Sequence, residues 1–351
     1  MGGSSFGQIL KISTFGESHG GAVGVVIEGV TPGLELSEKD MQFQLDRRKP
    51  GQSEVTTPRK ELDQVHIYSG VFQGRATGTP ILAILYNQDA QSEAYDDIKD
   101  KFRPGHADFT YLAKYGIRDY RGSGRASGRE TAARVAAGAV ARKLLAQRGV
   151  DVLAFTWRAA GIQCESFHSE VIEKNPMRAC DPLAAAQMVQ VITRLAQEGD
   201  SVGGIVECRI TGVPAGLGEP VFDKLEADLA KAMLSLGAVR GFEIGSGFQC
   251  ADMKGSQHND PMDASGFVSN HAGGVIGGIS TGKEIIFRIV VKPTSSISQE
   301  QHTLDKDGNE TTISTLGRHD PCICPRIVPV VEAMACLVLE DHFKRQAAMR
   351  A

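Results

Sequence analysis

The 351-residue chain carries 38 basic and 42 acidic side chains, a net charge of −4, and only 6% aromatic residues, so it offers no basic field and few stacking rings for nucleic acid. At 41% apolar and 23% charged, with no apolar run near the roughly 20 residues of a bilayer span, it reads as soluble and cytoplasmic. Seven cysteines, an odd number without a C-x-x-C pair, fit free thiols better than a disulfide framework, and no metal site is expected.

The opening "MGGSSFGQIL" matches neither a signal peptide nor a myristoylation pattern. A strand pattern, "AVGVVIEGV" (22–30), precedes a helix pattern, "LSEKDMQFQLDRR" (36–48), that runs into Arg47, Arg48 and Lys49 before the Pro50-Gly51 break. Cations suit a helix C-terminus whether or not they also hold a ligand. A glycine-turned strand pair (69–85) follows, then an arginine-rich loop (102–131) and a helix in which Ala133, Ala136, Ala137, Val140 and Leu144 share one face. Those small side chains permit another helix to approach closely. Residues 149–199 read as a helical connection, with Asp181 as an N-cap and Gly199 near the helix end.

The chain then repeats itself. "SHGGAVGVVIEGVTPGL" (18–34) aligns without a gap on "SVGGIVECRITGVPAGL" (201–217) with nine of seventeen positions identical, and 69–85 aligns on 273–289 through Gly70/Gly274, Val71/Val275, Gly74/Gly278, Thr77/Thr281, Gly78/Gly282 and Ile81/Ile285. More loosely, 125–148 matches 318–345. The expected fold is α/β, a layered sandwich in one domain over 1–351, with two pseudo-symmetric halves at about 8–148 and 200–346 around central helices. Glycines kept in both copies, such as Gly33/Gly216, are explained by a shared backbone bend. Positions that differ point to chemistry: His19 aligns with Val202, and Asp320 with Ser127.

His19 sits in "TFGESHGG", where following glycines leave room for a ligand, although a lone histidine is commonly structural. The 102–131 loop places His106 after a Pro-Gly turn and gathers Arg103, Arg118, Arg121, Arg125 and Arg129 ahead of a helix, a usual way to hold phosphate or carboxylate. "NHAGGVIGGISTGKEI" and "KPTSSI" fit neither G-x-G-x-x-G nor a P-loop; a flavin or sugar phosphate on exposed backbone would suit them, as would a tight hairpin. Asp320, in "GRHDPC", is either a turn residue or a catalytic carboxylate.

In this order "FGESHGG", "DRRKPGQS", "FRPGHADFTY", "DYRGSGRASGRETAARVAAGA", "GVPAGLGEPVFDKL", "SNHAGGVIGGISTG", "KPTSSI" and "GRHDPC" closely resemble the chorismate synthase family over essentially the whole chain. The resemblance implies a homotetrameric β-α-β sandwich of the monofunctional type. It also implies a lyase that converts 5-enolpyruvylshikimate 3-phosphate to chorismate and phosphate by 1,4-anti elimination, using reduced FMN from an external reductant. Carried residue by residue, His19 resembles the histidine near the leaving phosphate, His106 the one serving the flavin by protonating near N1, and Asp320 the carboxylate that works with flavin N5 in removing the ring proton. Arg48, Arg103 and Arg129 would hold substrate. Flavin contacts would fall on Arg125, Ala126, Ser127, Gly237, Ala238, Gly277, Lys292, Pro293, Thr294, Ser295, Ser296 and Arg318. Glu54 departs from a position that is basic in some relatives, and Cys324-Pro325 from one where a smaller or aliphatic pair is frequent. The competing expectation is a non-catalytic phosphate- or nucleotide-binding assembly protein; two histidines and a carboxylate at unmatched positions favour the enzyme.

Overall fold

The computed structural model describes residues 3–53, 55–57, 61–88, 92–315 and 319–349. Arg318 and Glu54 lie outside the described residues. Ten strands form two five-stranded sheets, and all their pairings are antiparallel. The first sheet contains β1 (Ser5–Phe6), β2 (Lys11–Gly16), β3 (Ala22–Glu28), β4 (Val65–Ser69) and β5 (Ile81–Tyr86), in the spatial order β1-β2-β3-β5-β4. The second contains β6 (Asp151–Ala159), β7 (Ile162–Gln163), β8 (Gly204–Thr211), β9 (Val239–Ile244) and β10 (Ile285–Val291), in the order β9-β10-β8-β6-β7. The four main strands of each sheet thus follow one pattern, β2-β3-β5-β4 in the first and β6-β8-β10-β9 in the second.

The α-helices of two turns or more among the described residues are α1 (Glu38–Arg48), α2 (Asp108–Tyr115), α3 (Thr131–Ala146), α4 (Pro182–Gln197), α5 (Leu225–Leu234) and α6 (Cys324–Met349). Asp181 caps α4 by accepting from the Leu183 and Ala184 amides, and Gly199 follows it with φ +72°. Alternation in β5 buries Ile81, Ala83 and Leu85 on the face that meets α3, while α6 packs on β6 and β8. Helices α3 and α6 lie against each other in the core, buried nearly along their whole lengths.

One expectation needs correcting. The stretch 149–199 is not a helical connection, because β6 occupies Asp151–Ala159 and pairs with β8 throughout. "DVLAFTWRA" is rich in β-branched and aromatic side chains, and Val152, Ala154 and Phe155 are buried. Strand β6 thus joins the second sheet about fifty residues before the repeated glycines.

Gly138 marks the closest helix approach: a Cβ built there would lie 2.5 Å from Ala333 Cα. Gly138→Ala gains about 1 kcal/mol of helix propensity, but overpacking against backbone costs about 1–3 kcal/mol and its larger Val counterpart more. We expect Gly138→Val to lower the melting temperature by several degrees and Gly138→Ala to give no stabilisation, read by thermal unfolding.

Among the described residues no helix is long and apolar enough to cross a membrane. All seven cysteines are free.

Candidate active site

The 102–131 loop folds back on itself around Asp108. This buried carboxylate takes Arg103 on both oxygens (Nε 2.8 Å, Nη2 2.9 Å) and Arg118 at 2.6 Å. His106 Nδ1 stands 3.1 Å from Asp108 Oδ1, at ion-pair distance but off the line of a good hydrogen bond. Burial alone would raise the Asp108 pKa; the bonds from Arg103 and the nearness of His106 outweigh that and hold it far below the carboxylate range. For His106 the order is reversed: burial pushes the pKa down, aided by the charges of Arg103 and Arg118, against the pull of Asp108. Its Nε2 is 2.8 Å from Ser123 Oγ, which also lies 2.5 Å from the Gly122 carbonyl.

His19 meets this loop directly. Its ring abuts the position a Gly122 Cβ would take, and it stacks edge-on against Tyr95 with centroids 5.3 Å apart. Gly122 has φ +69°, so both its backbone and the adjacent imidazole require glycine there. Arg103 Nη1 bonds the Gly122 carbonyl at 2.8 Å, tying the His19 and His106 neighbourhoods to one peptide.

The "KPTSSI" strand end approaches from the other sheet. A Cβ on Gly105 would lie 3.6 Å from Ser295 Cβ, and Thr294 Oγ1 donates to the Asp320 carbonyl at 2.8 Å. The Asp320 carboxylate accepts from the Thr57 amide (2.8 Å) and from Arg326 Nη1 (2.5 Å). Arg326 in turn is one of the charges that, after burial, depress the pKa of Arg48, down to about 10. Contacts thus run from His19 through Gly122 and Ser123 to His106 and Arg103, and from Thr294 through Asp320 to Arg326, with Gly105 beside Ser295 between the two groups; Arg326 acts on Arg48 through its charge.

The three expected substrate arginines are all buried and already paired. Arg48 reaches Asp63 (2.6 Å), Thr131 Oγ1 and the Gly128 carbonyl; Arg129 reaches Asp63, Asn87 and the Tyr86 carbonyl; Arg103 is held by Asp108. Arg125 bonds Thr14 through its carbonyl (2.7 Å) and hydroxyl. Arg121 is half-exposed and paired with Asp119, outside the cluster. Lys292 donates to its neighbour Pro293, and its amide bonds the Ala238 carbonyl, which places Gly237 and Ala238 beside the 292–296 segment. Ala126 and Ser127 stand in the turn leading to Arg129, whose amide donates to Ser127 Oγ. Ser296 is buried. Gly277, by contrast, turns the hairpin 275–280, which packs on 217–225 through the Gly218–Ile279 bridge and the Leu225 amide.

Besides His106 Nδ1, the buried Ser18 Oγ, Arg125 Nη1, His319 Nε2 and Arg326 Nε have no hydrogen-bond partner among the described residues. Native interiors rarely leave such groups unpaired, and together they fit a polar ligand that bonds them. Sequence reasoning passed over Asp63, Asp108, Ser123, Arg326 and His319 as participants. Asp108 and His319 lay inside quoted stretches, but only three-dimensional proximity reveals what they hold. A cavity of about 240 Å³ opens beside Arg326, lined by Gln52, Ser53, Thr56, Arg178 and Pro325 among others; it adjoins the Asp320 end and includes neither histidine.

Comparison with known proteins decides the family. The chorismate synthase family model matches residues 10–343. The chain belongs to the chorismate synthase family. Chorismate synthases similar to it include that of Chloroflexus aurantiacus, 54% identical over 100% of this chain and 98% of the relative, and that of Methanosarcina acetivorans, 56% identical over 98% and 97%. A crystal structure of chorismate synthase aligns with TM-score 0.77 and 30% identity, covering 97% of this chain and 93% of that one. The sandwich of antiparallel sheets and core helices thus has a solved counterpart in the chorismate synthase family over nearly its full length.

His319 supplies a test of the site's electrostatics. Burial, with Arg103 and His106 adding to it against Asp320, pushes its pKa down to about 4 from 6.5. A lowered histidine pKa means the unfolded chain takes up the proton first, so the penalty is absent above pH 6.5 and grows as pH falls toward 4. At about 1.4 kcal/mol per unit, the cost by pH 4 is on the order of 3 kcal/mol. Urea midpoints should drop between pH 7 and 4.5, and His319→Gln should shrink that drop.

Proposed function

We propose that the protein converts 5-enolpyruvylshikimate 3-phosphate to chorismate and phosphate by 1,4-anti elimination, with reduced FMN, as a step toward the aromatic amino acids. The observation that carries this reading is that His19, His106 and Arg103 meet around Gly122, with Gly105 beside the 292–296 segment that holds Asp320, in a protein whose family is chorismate synthase. The substrate bears two carboxylates and a phosphate, so it needs several fixed cations, and Arg48, Arg103 and Arg129 supply them already oriented.

The orphaned Arg125 Nη1 and His319 Nε2, with Lys292 and the hydroxyls of Ser295 and Ser296, suit a flavin carrying a phosphate. Ala126, Ser127, Gly237, Ala238, Pro293 and Thr294 offer backbone beside it, Gly277 would contribute from the 275–280 hairpin, and Arg318 would join them. Bound reduced FMN supplies the electron-rich ring on which the elimination depends.

Asp108, 3.1 Å from His106 Nδ1, favours a proton on that nitrogen, and Nε2 faces the Ser123 hydroxyl. A second proton on Nε2 is accommodated when that hydroxyl turns to the Gly122 carbonyl, so the side chain can take and return a proton without moving. His19 donates toward the departing phosphate, and Asp320 accepts the ring proton on a carboxylate oriented by Thr57 and Arg326. The same reading makes the chain one domain built from an internally duplicated unit, working in the cytoplasm as a homotetramer fed with electrons by a separate flavin reductant.

Anaerobic mixing with reduced FMN and the enolpyruvyl substrate tests this. Chorismate absorbance and phosphate should rise together; a folded protein that binds both ligands and releases neither product would leave only the anion-binding alternative.

A further inference from the structure

Arg48 and Arg129, proposed above to take the substrate's anions, share one internal counter-ion. Asp63 puts Oδ2 2.6 Å from Arg48 Nη1 and Oδ1 against Arg129 Nη1, with its side chain fully buried. It does so from a left-handed backbone, φ +49°, an uncommon conformation for a non-glycine residue and one that tends to persist where function requires it. Burial works to raise the Asp63 pKa, and the two guanidiniums more than offset it, so the group is ionised and the trio carries a net charge of +1.

Each guanidinium has five N–H groups. Arg48 spends three on Asp63, Thr131 and Gly128, and Arg129 spends three on Asp63, Asn87 and Tyr86, which leaves two on each among the described residues. Without a shared carboxylate, two buried like charges would repel and turn apart.

We propose that Asp63 is a positioning residue for this arginine pair: its carboxylate holds both guanidiniums convergent before the ligand arrives, and remains bound while the spare N–H groups meet the substrate. The proposal rests on the functional reading above for the pair's role, but its first test needs no turnover.

Asparagine tolerates the left-handed region as aspartate does, so Asp63→Asn removes the charge while keeping the backbone. With the counter-ion gone, inorganic phosphate at millimolar concentration should raise the melting temperature of Asp63→Asn by several degrees more than that of the wild type. In steady state, kcat should fall at least tenfold while KM does not rise, because ground-state anion binding persists and alignment is lost. Equal phosphate shifts in the two proteins, or a raised KM with unchanged kcat, would overturn the proposal. If Asp63→Asn does not fold, the double variant with Arg129→Gln removes the uncompensated charge. Recovery of the fold supports charge balance as the role of Asp63, and failure to recover assigns the residue to backbone shape and overturns it. A protein that shows the phosphate effect and makes no chorismate would sink the functional reading alone.

Discussion

Asp320→Asn is expected to lower kcat by about 10²–10⁴-fold while leaving flavin and substrate binding largely intact. The magnitude follows from removing the proposed proton acceptor rather than a binding contact. Asparagine keeps an oxygen for the Thr57 amide, and the Asp320 carbonyl still accepts from Thr294, so the backbone of the loop stays where it is. What changes is the side facing Arg326, where an amide NH₂ would meet a guanidinium donor now 2.5 Å away; Arg326 must turn toward the neighbouring cavity. Rapid-quench measurement of chorismate formation, beside equilibrium titration with flavin, separates the two effects. Near-normal turnover would remove Asp320 from the chemistry.

His106→Ala is expected to cost a similar factor in kcat, for a different reason. Asp108 keeps both bonds from Arg103 and its pair with Arg118, so the loop retains its anchor and the protein should fold. The lost element is the proposed proton carrier between Asp108 and Ser123. Because burial lowers the wild-type His106 pKa, the protonated form is populated only below the ordinary histidine value, and kcat/KM should show an ionisation below pH 6.5. That ionisation should be absent from the His106→Ala profile. Retention of the same limb in the variant would assign it to another group.

Much of the fold was legible because short-range signals agreed with the long-range repeat. Gly33 and Gly216 have φ +82° and +97°, so the matched residues report a matched backbone bend. The alanine face of α3 announced a close helix crossing, and Gly138 against Ala333 is that crossing. Strand β6 escaped notice because it lies upstream of the second aligned stretch, outside the part of the sequence that the repeat made visible. The site divided along similar lines. His19, His106 and Asp320 stood out by lying in glycine- and proline-rich turns at positions unmatched in the other half. Asp63 stood in the ordinary-looking "ELDQV", and nothing in its neighbours tells that its carboxylate lies between two guanidiniums from α1 and from the turn before α3. Arginines can be recognised as an anion site from spacing; the acids that hold them come from anywhere in the chain.

The central claim is that these side chains surround one chamber that holds flavin and substrate together. The absorbance spectrum of protein-bound flavin, recorded anaerobically with and without 5-enolpyruvylshikimate 3-phosphate, tests it most directly, because adding the substrate should change the spectrum only if the two ligands share a site. A substrate-dependent change that persists in Asp320→Asn, which binds but is expected to turn over only slowly, is the predicted result. A flavin spectrum that stays the same at saturating substrate would contradict it.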